Sequence, residues 1–125
     1  MSRNAADPRQ VQRAERKDRE RRKRELEDLR FVLSSYSGRR LLWRLLGHCS
    51  VFQSIWDPSS KVHHNAGRQD VGHFLMAELT AADDEAFFVM MREAREERKK
   101  DELLEQVEAQ KDRKQQGDRD HGSND

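Results

Sequence analysis

The sequence predicts an all-α protein: a small compact helical core of about four helices, with long charged helical arms at both ends. Three observations predict it. All of the aromatic residues, five Phe, two Trp and one Tyr, lie between Phe31 and Phe88. Within that stretch the apolar residues recur at steps of three and four, and no alternating strand pattern interrupts them. On either side the sequence is dominated by charge, which makes up 39% of the whole chain. Only the apolar island can fold around a core. A domain of roughly 60 residues buries about 60% of its unfolded surface and is marginal by itself.

The first arm, residues 1–25, opens with a loose terminus over Met1–Pro8 and continues as a solvated helix. The pairs Glu15–Arg19, Arg16–Glu20, Asp18–Arg22 and Glu20–Arg24 are four apart and of opposite charge. The core, residues 26–94, begins where Leu26, Leu29, Leu33 and Tyr36 give that helix one apolar face. Ser37-Gly38 reads as a break and an N-cap. A second helix follows over Arg39–Leu46, with Leu42, Leu45 and Leu46 on one face, widened by Leu41 and Trp43. Gly47 reads as its C-cap. Val51, Phe52, Ile55 and Trp56 form a short apolar turn. Asp57-Pro58-Ser59-Ser60 is a loop, which Lys61–Gly67 continues.

A third helix is expected over Arg68–Leu79, with Val71, Phe74, Leu75 and Leu79 inward. Gly72 within it costs about 1 kcal/mol relative to Ala, which points to another element passing close by. Ala81-Ala82-Asp83-Asp84 reads as a turn with an aspartate cap. A fourth helix starts near Glu85, and Phe87 or Phe88, Met90, Met91 and Ala94 form its face. Residues 95–114 continue it as a charged extension, supported by Arg92–Glu96, Glu96–Lys100 and Arg98–Glu102. Leu103, Leu104 and Val107 make a second, separate apolar patch there. Residues 115–125 read as a disordered tail.

Residues 1–25 carry ten Arg or Lys and five Asp or Glu, net +5, whereas the chain as a whole is +1. The basic run Arg19, Arg21, Arg22, Lys23 and Arg24 is therefore a candidate phosphate contact. It does not continue into leucine heptads as a basic-zipper reader would. The single cysteine, Cys49, excludes an internal disulfide and fits a reducing compartment. The expectation is a soluble chain with neither a membrane span nor a signal peptide.

Cys49 with His48, His63, His64 and His73 does not form the two close-spaced ligand pairs of structural zinc, so no metal and no cofactor are expected. A catalytic Cys–His pair needs a pocket for which so small a core leaves little room, and no phosphate-binding or hydrolase motif is present. The expectation is a binding protein, with no catalytic residues. Candidate partner-binding residues are Leu103, Leu104 and Val107, together with Arg39 and Arg40. The two arginines start a helix, where positive charge opposes the helix dipole. They therefore imply acidic partners: Glu27, Asp28 or Asp70 within the chain, or an acidic patch on another subunit.

Two blocks carry a resemblance. One is Gly38-Arg39-Arg40-Leu41-Leu42-Trp43-Arg44-Leu45-Leu46, followed by Cys49, Val51-Phe52 and Ser54. The other is Gly67-Arg68-Gln69-Asp70-Val71-Gly72 with Phe74-Leu75, followed by Met90-Met91-Arg92-Glu93-Ala94. From about Leu26 to Ala94 the chain resembles a family of small proteins of tailed bacteriophages, typified by one from a short-tailed Bordetella phage. The resemblance implies a phage structural or morphogenesis protein without catalysis. Such a protein is found in the virion, and in the host cytoplasm during assembly. Its expected partners are other virion proteins, such as portal or capsid, or a second copy of itself. The alternative is an internal protein that contacts packaged DNA through the basic arm.

Overall fold

The structure, a computed structural model, describes residues 7–122. It has four helices: α1 (Pro8–Leu33), α2 (Tyr36–His48), α3 (Lys61–Ala82) and α4 (Ala86–Gly122). No strand occurs among the described residues, so the fold is all-α as the periodicity predicts. Contacts divide the chain into two units, which meet within α4 between Met90 and Met91.

In the first unit, Asp7 caps α1 by accepting from the Arg9 amide at 3.0 Å, with Pro8 in the first turn, where its missing N–H costs nothing. Asp7 and Pro8, expected in a loose terminus, are the cap and first residue of the helix, and the rest of that expectation, residues 1–6, lies outside the described residues. The break after α1 comes at Ser34-Ser35, ahead of the expected Ser37-Gly38. Ser35 is the N-cap of α2, because its Oγ accepts from the Gly38 amide at 3.0 Å. Tyr36, expected at the end of the first helix, thus opens the second. Gly38 is needed for space, since a Cβ there would lie 2.0 Å from the Val32 carbonyl oxygen.

α2 also runs beyond its expected end. Gly47 is an ordinary helical residue, and the helix closes through Ser50 and Val51. Ser50 donates to the Gly47 carbonyl at 3.1 Å and Val51 to the Leu46 carbonyl at 3.4 Å. This is a Schellman closure, with Ser50 in the left-handed region at φ 58°. The Val51 side chain then packs on the core beside Leu46.

The largest departure from expectation is in α3, which begins at Lys61 and converts the expected loop Lys61–Gly67 into helix. The Asp57–Ser60 turn before it is as expected. Asp57 accepts from the Ser59 hydroxyl and from the Ser59 amide at 2.8 Å, and the hydroxyl first, then the amide, hold its carboxyl below the usual range. Polar side chains along the start of α3 donate to carbonyls of the preceding segment. Asn65 donates to Ile55 at 3.4 Å, and Gln69 donates to Ser50 at 2.9 Å and to Gln53 at 3.2 Å. Because this face meets backbone and not apolar side chains, it carries no apolar period.

The core is Leu33, Leu42, Leu46, Leu79, Ala82, Ala86 and Met90, with Leu26, Leu29, Trp43, Val51, Leu75 and Met76 packed against it. α3 therefore faces inward through Gly72, Leu75, Leu79 and Ala82. Val71 and Phe74, expected inward, are 61% and 66% exposed. Gly72 sets that register. A Cβ there would lie 2.6 Å from the Cys49 Cβ and 2.4 Å from a Val51 methyl, so the turn closing α2 passes directly over the α3 backbone. Asp83 ends α3 and accepts from the Glu85 amide at 3.0 Å, giving the expected aspartate turn.

Polar ties complete this unit. Arg22 donates to Glu78 at 2.6 Å and Arg30 to the Ala82 carbonyl at 2.7 Å, joining α1 to α3. The ion pairs within α1 are three apart, Asp18–Arg21 and Arg22–Glu25, and not four. Arg22, expected to pair with Asp18, is drawn to Glu25 and Glu78 instead.

In the second unit, every residue of α4 from Arg98 to Gly122 is exposed. The expected disordered tail is helical as far as Gly122, while residues 123–125 lie outside the described residues. Lys114, Gln115 and Gln116 are good helix formers, no proline intervenes, and Gly117 costs only about 1 kcal/mol.

Two predictions follow from this packing. Gly72→Ala should destabilise the protein by about 1–3 kcal/mol in urea denaturation, although alanine is the better helix former. Gly47→Ala, at a helical position with nothing within 4 Å of the added Cβ, should stabilise it by about 0.5–1 kcal/mol. The second prediction concerns pH. The hydrogen bond from Arg22 holds the Glu78 carboxyl below its ordinary range, and the same contact raises Arg22. A carboxyl depressed in the folded state stabilises the fold above its unfolded pKa. That contribution is lost as pH falls through the folded value. On acidification from neutral pH to below about pH 4, the wild type should lose more stability than Glu78→Gln, as read by denaturation at each pH.

Candidate interaction surfaces

The apolar island folds with much of its apolar surface outside the core. Phe31, Tyr36, Leu41, Leu45, Phe52, Trp56, Val71, Phe74 and Phe88 are all exposed. Single exposed apolar residues are ordinary on any protein surface; contiguous groups of them mark binding sites. Two such groups can be placed on the first unit.

One is aromatic. Trp43 stacks on Phe52 at 5.1 Å between ring centroids, Phe87 tilts against both at 5.8 and 6.0 Å, and Phe88 meets Phe87 edge-on at 5.7 Å. The sequence reading put Trp43 among buried leucines. It is half-buried, packed against the core as well as against these rings. The other group is the outward side of α2, where Leu41 and Leu45 lie one turn apart, with Arg40 and Arg44 one turn apart beside them. The guanidinium of Arg40 lies 5.3 Å from the Tyr36 ring centroid.

The two arginines singled out from the sequence have different roles. Arg39 donates to the Leu33 carbonyl at 2.8 Å and so satisfies the C-terminal end of α1, where a cation is favoured. This contact accounts for an arginine in a position that opposes the dipole of its own helix. Arg40 belongs to the exposed face. Arg44, which the sequence reading left as a polar edge, belongs with it. The signal was legible: Arg-Leu recurs four residues apart, at 40–41 and 44–45.

In the second unit, Leu103, Leu104 and Val107 are exposed at 64%, 61% and 44%, as the separate patch requires. Of the basic run, Arg21 and Arg22 are engaged with carboxylates, and Arg19, Lys23 and Arg24 are exposed on α1. The histidines do not gather. His48 ends α2, His63, His64 and His73 are exposed on α3, and Cys49 is buried. Among the described residues no group of three or more His, Cys, Asp or Glu is placed to hold a metal ion. No described helix is long and apolar enough to cross a membrane.

Over residues 29–93, just over half of the chain, the sequence matches the family described as Bbp19-like phage protein. No curated protein and no solved structure matches it. The matched span takes in the last turn of α1, the Ser34-Ser35 break, all of α2 and α3, and the opening of α4. It therefore contains Gly72, the turn closing α2 and the aromatic group. The chain belongs to the family of Bbp19-like phage proteins.

Proposed function

We propose that this phage protein has a structural or assembly role in the virion, and that it works by helix-mediated binding to other virion proteins of the head or portal region. The observation that carries the reading is the distribution of apolar surface. An all-α core holds only a few fully buried side chains, and rings and leucines of the same island stand in solvent beside it. Aromatic side chains with arginine at the rim are the usual composition of a binding hot spot. The apolar patch on α4 is too small to be a core of its own.

DNA contact through the basic run is the weaker reading. Two of its five cations already face carboxylates of this chain, and acids are interleaved through the helix. Phosphate binding would show as a steep loss of affinity with salt.

Mass spectrometry of purified virions tests the proposal. The expected result is a constant copy number per particle. Changing Leu103, Leu104 and Val107 together to Ser should leave the circular dichroism and unfolding of the core intact and lower that copy number. A protein abundant in infected cells but missing from both virions and assembly intermediates would overturn the reading.

A further inference from the structure

The exposed apolar patch of α4 lies on a line of side chains that has an acid at one end and a base at the other. On a helix, Glu96, Lys100, Leu103, Val107, Gln110 and Lys114 fall along one face, with Leu104 at its edge. They follow one another at alternating steps of four and three, the repeat by which helices pair. The acids Asp101, Glu102, Glu105 and Glu108 lie off this line, at the sides and back of the helix. Every side chain of the line is exposed, and Leu103, Leu104 and Val107 are so at 64%, 61% and 44%. Glu96 stands seven residues before Leu103, and Lys114 seven after Val107.

We propose that this face of α4 pairs antiparallel with the same face of a second copy, about a two-fold axis level with Glu105. Leu103 of each copy then packs on Val107 of the other, and Leu104 meets its own counterpart beside them. Further out, Glu96 of each copy meets Lys114 of the other, and Lys100 lies opposite Gln110, whose amide oxygen can accept from it. Charge complementarity selects both the partner and its direction. A parallel pair would set Glu96 on Glu96, Lys100 on Lys100 and Lys114 on Lys114. Turning one helix over removes all three like-charge meetings at once. The contact is isologous and closes at a dimer. It rests on the proposed binding role and names its partner. It spans residues 96–114, roughly 27 Å of helix at about 1.5 Å per residue, but its apolar part is only Leu103, Leu104 and Val107 of each copy. So charged a contact is concentration-dependent and weaker at high salt.

The test is sedimentation of the full-length protein over a concentration series, with Glu96→Lys, Lys114→Glu and the double exchange Glu96→Lys/Lys114→Glu. The wild type should dimerise, less tightly at high salt. Each single change sets like charges together at both ends of the contact and should weaken the dimer roughly tenfold. The double exchange restores opposite charges at both ends and should recover the wild-type affinity to within about twofold. Both positions are exposed, and circular dichroism reads the helix content of each variant. Within one chain the two positions are about five turns apart and cannot touch. A loss caused by the helix itself would therefore add in the double exchange, whereas a loss caused by pairing cancels there.

A wild type that stays monomeric, single variants that dimerise as it does, or a double exchange no tighter than the single ones would each overturn the proposal. A monomeric protein still found in virions overturns the self-contact alone. A dimer that is absent from virions and assembly intermediates overturns the assembly role instead.

Discussion

The turn that closes α2 lies against the backbone of α3 at Gly72, and the rest of the first unit depends on that approach. With no room for a Cβ between Gly72 and Cys49, the two elements sit closer than any side chain allows. The closeness decides which residues of α3 point inward. From Gly72 the inward line runs through Leu75, Leu79 and Ala82, and Leu79 is fully buried. It also places Gln69 over the turn, where one amide group serves the carbonyls of Ser50 and Gln53. The left-handed Ser50 is thereby held on both sides, by the hydrogen bonds of the Schellman closure and by Gln69. Strain of about 1–2 kcal/mol in a non-glycine residue persists only where the surroundings hold it in this way.

The fold class and the number of helices were legible because apolar spacing reports helices directly. So was the meaning of Gly72, since a glycine in mid-helix demands a reason. The details that escaped share one cause. Sequence periodicity ranks inward positions by size and hydrophobicity, and at a close approach the ranking inverts. Small residues go to the contact, so Gly72 and Ala82 are buried while Val71 and Phe74 face out. The early part of α3 escaped for a related reason. Asn65 and Gln69 bind backbone carbonyls, and a helix that serves polar groups reads as loop. The break at Ser34-Ser35 was hidden by a choice between serines near one glycine. Gly38 marks crowding against Val32, and Ser35 is the cap.

Arginine placement explains how so small a core is held. Arg22, Arg30 and Arg39 each leave their own helix to meet a carboxylate or carbonyl of another element. Two of the three go to the last turn of a helix, where unsatisfied carbonyls favour a cation. α1 and α3 are thus joined by polar ends as well as by leucines, which a composition of high charge and few apolar residues makes possible. Charge counting from the sequence could not separate these arginines from solvated ones. The separating feature is the distance along the chain to the acceptor.

The candidate surfaces were half legible for the same reason. Leu103, Leu104 and Val107 stood out because nothing apolar surrounds them. Leu41 and Leu45 were hidden among the core leucines of the same helix, where Leu42 and Leu46 are buried one position further on. A helix that shows leucine on both its inner and its outer side has more apolar surface than its fold uses. Natural surfaces avoid such patches because they promote association. The fully exposed run of α4 presents the same problem in another form. An isolated helix in water is marginal, because its stability comes mostly from burying one face. From Arg98 onward α4 has no buried face, and its few apolar residues are edged by acids.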